Sequence, residues 1–200
     1  MTRSRSTPRI RFTQALYTAI VVLVAISERR SVTGLAGAFV QLAGLLVMGG
    51  AALGRLWTSL YIAGRKDREL VTDGPYAVCR NPLYAFSVVG AIGIGLATRS
   101  LVVTLALPAL LAILTAGVVR AEESLLARLH GDPYARYLSE VPRFWPDLAL
   151  RRRRDETVVL TPVYFKAFLD AASFLLLYAL IVAADLLARS GVTPTPLVLP

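Results

Sequence analysis

The chain has 200 residues, of which 56% are hydrophobic and only 18% charged, and its mean hydropathy is +0.59. A soluble domain is closer to half apolar and a quarter charged, so the composition argues against one and for an integral membrane protein. The net charge of +9 does not point to nucleic acid, because the basic residues fall between apolar runs; a single Cys79 excludes an internal disulfide or a cysteine metal cluster, and one His leaves little for any metal site.

Residues 1–11 hold Arg3, Arg5, Arg9 and Arg11 and no acid, and read as a basic arm. Residues 12–27 form a first apolar run, short for a span. A basic arm before a short apolar core also describes a signal peptide, with Ala25-Ile26-Ser27 as its cleavage site, so retention and cleavage both stay open. Residues 32–53 are long enough to cross a bilayer. Gly50 and Gly54, four apart, predict a face that a neighbouring helix approaches closely. Residues 54–73 mix Arg55, Arg65, Lys66 and Arg68 with Trp57 and Tyr61. They predict a helix end running along or out of the membrane interface, where amphipathic rings are favoured.

Residues 70–84, LVTDGPYAVCRNPLY, form a polar, turn-rich island between two apolar segments. Gly74, Pro75, Tyr76, Arg80, Asn81, Pro82 and Tyr84 crowd into it. Asn81-Pro82 leads into a third span over residues 83–98, proline being tolerated at a helix start where its missing N–H is unpaired in any case. A fourth span covers residues 101–119, and its helical pattern continues to about residue 129. Such a helix is about 40 Å long, more than the ~30 Å hydrocarbon core, so Glu122 and Glu123 fall near the membrane boundary. Residues 131–147 read as a loop rich in proline and aromatics, and the four arginines at 151–154 as a topology determinant. A fifth apolar segment, residues 163–187, is interrupted by Lys166, Asp170 and Asp185; the two aspartates either mark its ends or face the bundle interior. The tail, residues 191–200, has three prolines and no helical pattern.

The expected fold is therefore all-α, a multi-pass bundle of about five transmembrane helices with a cytoplasmic pocket of loops and helix ends. Residues 1–69 form the arm, two spans and an interfacial segment; residues 70–147 the region with the chemistry; residues 148–200 a basic loop, the last span and the tail. With the N-terminus in the cytoplasm, the inside segments hold 18 of the 22 Lys and Arg residues. The positive-inside rule thus places both the 70–84 island and the Glu pair in the cytoplasm. The Ala-, Arg- and Leu-rich composition fits a bacterial inner membrane.

Five short elements then carry a resemblance: Gly74-Pro75-Tyr76, Arg80-Asn81-Pro82-Leu83-Tyr84, Glu122-Glu123, a Gly-x-x-Tyr-x-x-Tyr run from Gly131 through Tyr134 to Tyr137, and a Val-Pro-Arg-x-x-Pro ending from Val141 to Pro146. In this order and spacing, over residues 70–147, the chain resembles the isoprenylcysteine carboxyl methyltransferase and phospholipid methyltransferase superfamily. The resemblance implies a multi-pass enzyme that takes S-adenosylmethionine into a pocket of post-span loops and methylates a lipophilic or membrane-delivered acceptor, at a carboxylate, amine, thiol or hydroxyl. Membrane lipids are its expected surroundings, and no metal is needed because the donor is already activated.

Methyl transfer asks for alignment of nucleophile, methyl and sulfur, and for exclusion of water. The implied catalytic set is Arg80, Asn81 and Glu123. The implied cofactor set is Gly74, Pro75, Tyr76, Arg80, Asn81, Tyr84, Gly93, Gly95, Glu122, Glu123, Tyr134 and Tyr137. Arg80 suits the methionine carboxylate, which a guanidinium grips with two bonds, and equally suits a lipid phosphate. A carboxylate suits the methionine ammonium or the ribose hydroxyls. Glu122 and Glu123 are about 100° apart on a helix, so one is expected in the pocket and the other supporting it. The tyrosines line the adenine or serve as interface anchors. Gly93-Ile94-Gly95 resembles a Gly-x-Gly seen in phospholipid methyltransferases. The superfamily's usual residue at position 81 is His; Asn81 donates and accepts hydrogen bonds but takes up no proton. Two other readings stand: an NADPH-dependent membrane sterol or enone reductase, and a non-enzymatic membrane protein with a degenerate site.

Overall fold

The computed structural model describes residues 34–65, 69–152, 156 and 159–190. The expected first span and cleavage site, Lys66 and Arg68, Arg153 and Arg154, and the 191–200 tail lie outside these residues. All regular structure among the described residues is helical: α1 (Gly34–Ile62), α2 (Pro75–Val78), α3 (Pro82–Thr98), α4 (Leu101–His130), α5 (Asp132–Glu140), a single 3-10 turn (Leu148–Leu150) and α6 (Thr161–Arg189). Helices α1, α4 and α6 are long and apolar enough to cross a bilayer, and α3 is a shorter apolar helix. The chain is a membrane helical bundle.

The shortest span is the centre of that bundle, and α3 packs against α1, α4 and α6. Its buried positions explain this, since they are nearly all small: Gly90, Ala91, Gly93, Gly95 and Ala97. Between helices in lipid there is no hydrophobic drive, and close packing of small residues takes its place. A Cβ on Gly93 would sit 2.9 Å from the backbone nitrogen of Met48 and 3.0 Å from the carbonyl of Gly44, so α1 and α3 touch backbone to backbone. Gly95 lies in the same way against Thr104 of α4. Met48, Ala91, Ile94, Val103, Leu107 and Leu111 fill the core around these contacts.

Three expectations are corrected. Helix α1 carries on past residue 53 to Ile62, in keeping with the helix end expected there, but Arg55 faces the bundle and not the interface: its guanidinium bonds Ser87 Oγ of α3 and lies 5.0 Å from the ring centre of Phe174 of α6. The small face of α1 uses Gly44 and Gly54, the latter against Phe86; Gly50 is exposed with nothing near it. Residues 131–147 are not all loop. Gly131, at φ 53°, ends α4, and Asp132-Pro133 starts α5, whose Tyr134 and Tyr137 are buried on one face. The fourth helix does run on without a break to His130, past what a bilayer covers.

Asp185 also finds its place. Arg99, in a left-handed conformation at φ 56°, makes the tight α3–α4 turn, and its buried guanidinium pairs with Asp185 of α6. Asp170 is exposed on α6.

Candidate functional site

At the opposite end of α3, the 70–84 island is held by backbone. Gly74 sits at φ 59° and donates its N–H to the carbonyl of Arg152 at 3.0 Å. A side chain there would strike the ring of Tyr61, so both conformation and space require glycine. Helix α2 then buries Pro75, Tyr76, Ala77 and Val78. Val78 and Arg80 then pair with the Val-Pro-Arg ending and the residue after it: Asp147 donates to the carbonyl of Val78 at 2.9 Å and Arg80 to that of Pro142 at 2.9 Å. Cys79 Sγ faces the carbonyls of Arg143 and Phe144 at 3.5 and 3.4 Å. Two stretches some 60 residues apart thus form one wall.

Asn81 stands at the N-cap of α3 but does not cap it. An N-cap asparagine ordinarily accepts from the first turn. Here its Nδ2 donates to Glu123 Oε1 at 3.0 Å and to the carbonyl of Arg143 at 3.4 Å. Glu123 is the hub. Arg143 grips it with two nitrogens, Nε on Oε1 at 3.1 Å and Nη2 on Oε2, and Arg80 Nη1 lies 3.9 Å away. The Glu123 and Arg80 side chains are only 16% and 17% exposed, against 38% for Arg143. Glu122 points elsewhere and accepts from Tyr84 Oη at 3.1 Å. The Glu pair therefore divides as the helix geometry requires, one carboxylate at the hub and one beside it on Tyr84.

A cavity of about 580 Å³ opens on the hub, lined by Arg80, Arg120, Glu123, Ser124, Ala127, Tyr134, Leu138 and Arg143. Helix α5 separates it from a smaller one of about 360 Å³, whose polar walls include Thr72, Arg136 and Glu140. Tyr137 Oη donates to the carbonyl of Tyr76 at 2.7 Å and so ties α5 to α2.

Burial dominates the acid–base character of the site. It pushes the phenols of Tyr76, Tyr134 and Tyr137 above their ordinary value; Glu122 adds to the effect at Tyr76 and Glu123 at Tyr134. Burial raises the Cys79 thiol as well, against a smaller lowering by the Asn81 backbone and Arg80. These groups hold their protons at neutral pH, so none of these three phenols is poised as a base. Among the described residues, no group of three or more His, Cys, Asp or Glu side chains could hold a metal ion.

Of the sequence-predicted residues, Gly74, Pro75, Tyr76, Arg80, Asn81, Tyr84, Glu122, Glu123, Tyr134 and Tyr137 converge on this end of the molecule. Gly93 and Gly95 do not. They lie three to four turns down α3, where their missing side chains serve the contacts with α1 and α4. Arg143 and Arg120 were not singled out as site residues from the sequence. Arg143 was visible within the Val-Pro-Arg ending, and Arg120 stands one turn before Glu123 on α4. Arg55 was read as part of an interfacial stretch; nothing local marks it as facing α3.

The family model described as phospholipid methyltransferase matches residues 33–133, from α1 into the first turn of α5. The chain belongs to the phospholipid methyltransferase family. The match contains Arg80, Asn81, Glu122 and Glu123, and ends before Tyr134 and Arg143. Among relatives within reach of this family member, the cobalt-zinc-cadmium resistance protein CzcN of Cupriavidus metallidurans is 38% identical over 149 residues, which cover 74% of this chain and 68% of that protein. The nickel-cobalt-cadmium resistance protein NccN of Alcaligenes xylosoxydans xylosoxydans is 37% identical over 159 residues, 78% of this chain and 73% of the relative. The protein-S-isoprenylcysteine O-methyltransferase of Schizosaccharomyces pombe is 35% identical over 77 residues, 38% of this chain and 33% of that enzyme. No solved structure matches the chain. The family is thus one of membrane methyltransferases, in keeping with the apolar bundle.

Proposed function

We propose that the chain is an S-adenosylmethionine-dependent methyltransferase that acts on a lipophilic acceptor at the cytoplasmic face of a bacterial inner membrane. The observation that carries this reading is the hub: one carboxylate and two guanidinium groups, half-sequestered, on a cavity large enough for a small cofactor. A zwitterionic amino-acid end needs one group of each sign. Glu123 is the partner for the ammonium and Arg80 for the carboxylate. Arg80 supports the fit, since its buried Nε has no hydrogen-bond partner among the described residues and the side chain reaches Glu123 only at 3.9 Å. Asn81 and Glu122 act as positioning residues, the first orienting Glu123 and the second held on Tyr84. Tyr134, fully buried and protonated, supplies a wall.

S-adenosylmethionine supplies a methyl group on a sulfonium, open to displacement at carbon. The residues here bind, orient and exclude water. An acceptor already ionised, a carboxylate or thiolate, needs no proton removed. An amine or alcohol would rely on Glu122 or Glu123, because Asn81 takes no proton and Tyr76, Tyr134 and Tyr137 hold theirs.

Two relatives are named for resistance to divalent metals. Carried to this chain, those names support a role under metal stress and give a cellular readout: complementation of metal sensitivity that a Glu123→Gln chain should fail to supply.

The direct test is calorimetry of the purified chain with S-adenosylhomocysteine and with NADPH. Binding of the first alone is expected. Binding of NADPH alone would overturn the reading in favour of a reductase, and binding of neither would favour a degenerate site. The topology is tested separately, by a reporter active only outside the cytoplasm fused near Arg65; it should stay silent.

A further inference from the structure

The loop after Val141 has two faces with different occupations. Its inner face belongs to the site: the carbonyl of Pro142 accepts from Arg80, Asp147 donates to Val78, and Arg143 holds Glu123. Its outer face carries Trp145, 88% exposed, and Leu148, 74% exposed, with Phe144 partly exposed between Arg143 and Trp145. Large apolar side chains presented this openly mark a contact surface when they cluster, and these three fall within five residues.

The position of the loop names what it meets. Its backbone is pinned to Val78 and Arg80, immediately before α3 enters the bundle at Pro82. Trp57 and Tyr61 stand near the same end of α1, edge to face, and the Tyr61 ring lies against Gly74 of the site. The loop is therefore at the level where the spans meet water, the level that indole rings favour. Its charges agree. Arg151 and Arg152 follow it and are exposed, and Arg120 is exposed on α4. The nearby acids are engaged locally: Asp147 caps the 3-10 turn through Ala149 N–H, and Glu140 pairs with Arg152.

We propose that Phe144, Trp145 and Leu148 dock into the leaflet on the site's side of the membrane that the chain spans, with Arg151 and Arg152 on its anionic headgroups. The occupant is lipid and not a soluble partner, because the apolar groups lie at the membrane boundary and the surrounding charge is basic, as an anionic surface requires. Trp145 is two residues from Arg143, so the leaflet steadies the strand of chain that clamps Glu123. The inference rests on the membrane bundle alone and stands whatever the site binds.

The chain has two tryptophans, and Trp57→Phe leaves Trp145 as the only one. The full-length variant is reconstituted in phosphatidylcholine vesicles, with and without phosphatidylglycerol. Trp145 fluorescence should be quenched by lipids brominated near the headgroup end of their chains and shielded from acrylamide. Phosphatidylglycerol should deepen the bromolipid quenching, and Arg151→Gln with Arg152→Gln should remove that gain. Acrylamide access without bromolipid quenching would overturn the proposal and point to a soluble partner. Quenching indifferent to phosphatidylglycerol would overturn its electrostatic half. Should Trp57→Phe not fold, the difference between the wild type and Trp145→Phe reports the same signal.

Discussion

Two ionic clusters sit at opposite ends of α3, and they are built differently. At the turn between α3 and α4, one buried arginine meets one aspartate: Arg99, its side chain 3% exposed, on Asp185. At the other end, Glu123 is shared by Arg143, Arg80 and Asn81 beside an open cavity. The first is a buried pair that ties α6 to the α3–α4 turn. The second has more cations than its carboxylate needs, and one of them is partly in water. A buried pair is suited to holding helices together; a shared carboxylate with a displaceable partner is suited to exchange.

The largest effect that separates the two is on folding. Asp185→Asn leaves a buried guanidinium uncompensated and should lower stability by about 3 kcal/mol, read as a fall in the thermal midpoint in detergent, with affinity for S-adenosylhomocysteine unchanged. Loss of that affinity would mean the far end is not merely structural. Next come Glu123→Gln and Arg80→Ala. Each should weaken S-adenosylhomocysteine binding by roughly 30-fold with a smaller change in midpoint, since each removes a charge-assisted contact; unchanged calorimetric affinity in both would remove the hub from the site. A smaller effect, of opposite sign, is expected from Arg143→Gln. Arg143 competes for Glu123 in the structure, so its removal should raise affinity about threefold, a fraction of a charged hydrogen bond. A tenfold loss would instead make Arg143 a direct ligand.

The weakest effects concern protonation. Tyr76, Tyr134 and Tyr137 have pKa values raised by burial above the ordinary 10.0. Folded tyrosines keep their protons where unfolded ones lose them. Their contribution is therefore complete below pH 10 and is lost as pH climbs through the raised values. Thermal midpoints between pH 8 and 11 should fall only at the alkaline end, and less steeply in Tyr137→Phe. Cys79, 2% exposed with a raised thiol pKa, should react with iodoacetamide far more slowly in the folded chain than in denaturant.

Much of the site was legible because its parts are local. Gly74-Pro75-Tyr76 needs only a turn, and Glu122-Glu123 needs only a helix that outruns the bilayer. What was not legible is tertiary. Arg99 and Asp185 are 86 residues apart, and no periodicity links them. Arg55 looked like a helix end because its partners, Ser87 and Phe174, lie on two other helices. Proline and aromatic residues in 131–147 masked α5, although proline is at home in a first turn. Gly93 and Gly95 lie away from the hub for a physical reason: a glycine pair that suits a cofactor also suits two helix backbones in contact, and here they contact Met48 and Thr104.

Helix α3 is the central span and also the short one, with 17 residues or about 26 Å of rise. A bilayer's hydrocarbon is nearer ~30 Å, and the helices packed around α3, namely α1, α4 and α6, have 29, 30 and 29 residues. The Asn81–Glu123 hub at the N-terminal end of α3 is therefore recessed, since α4 runs on for seven residues past Glu123, to His130.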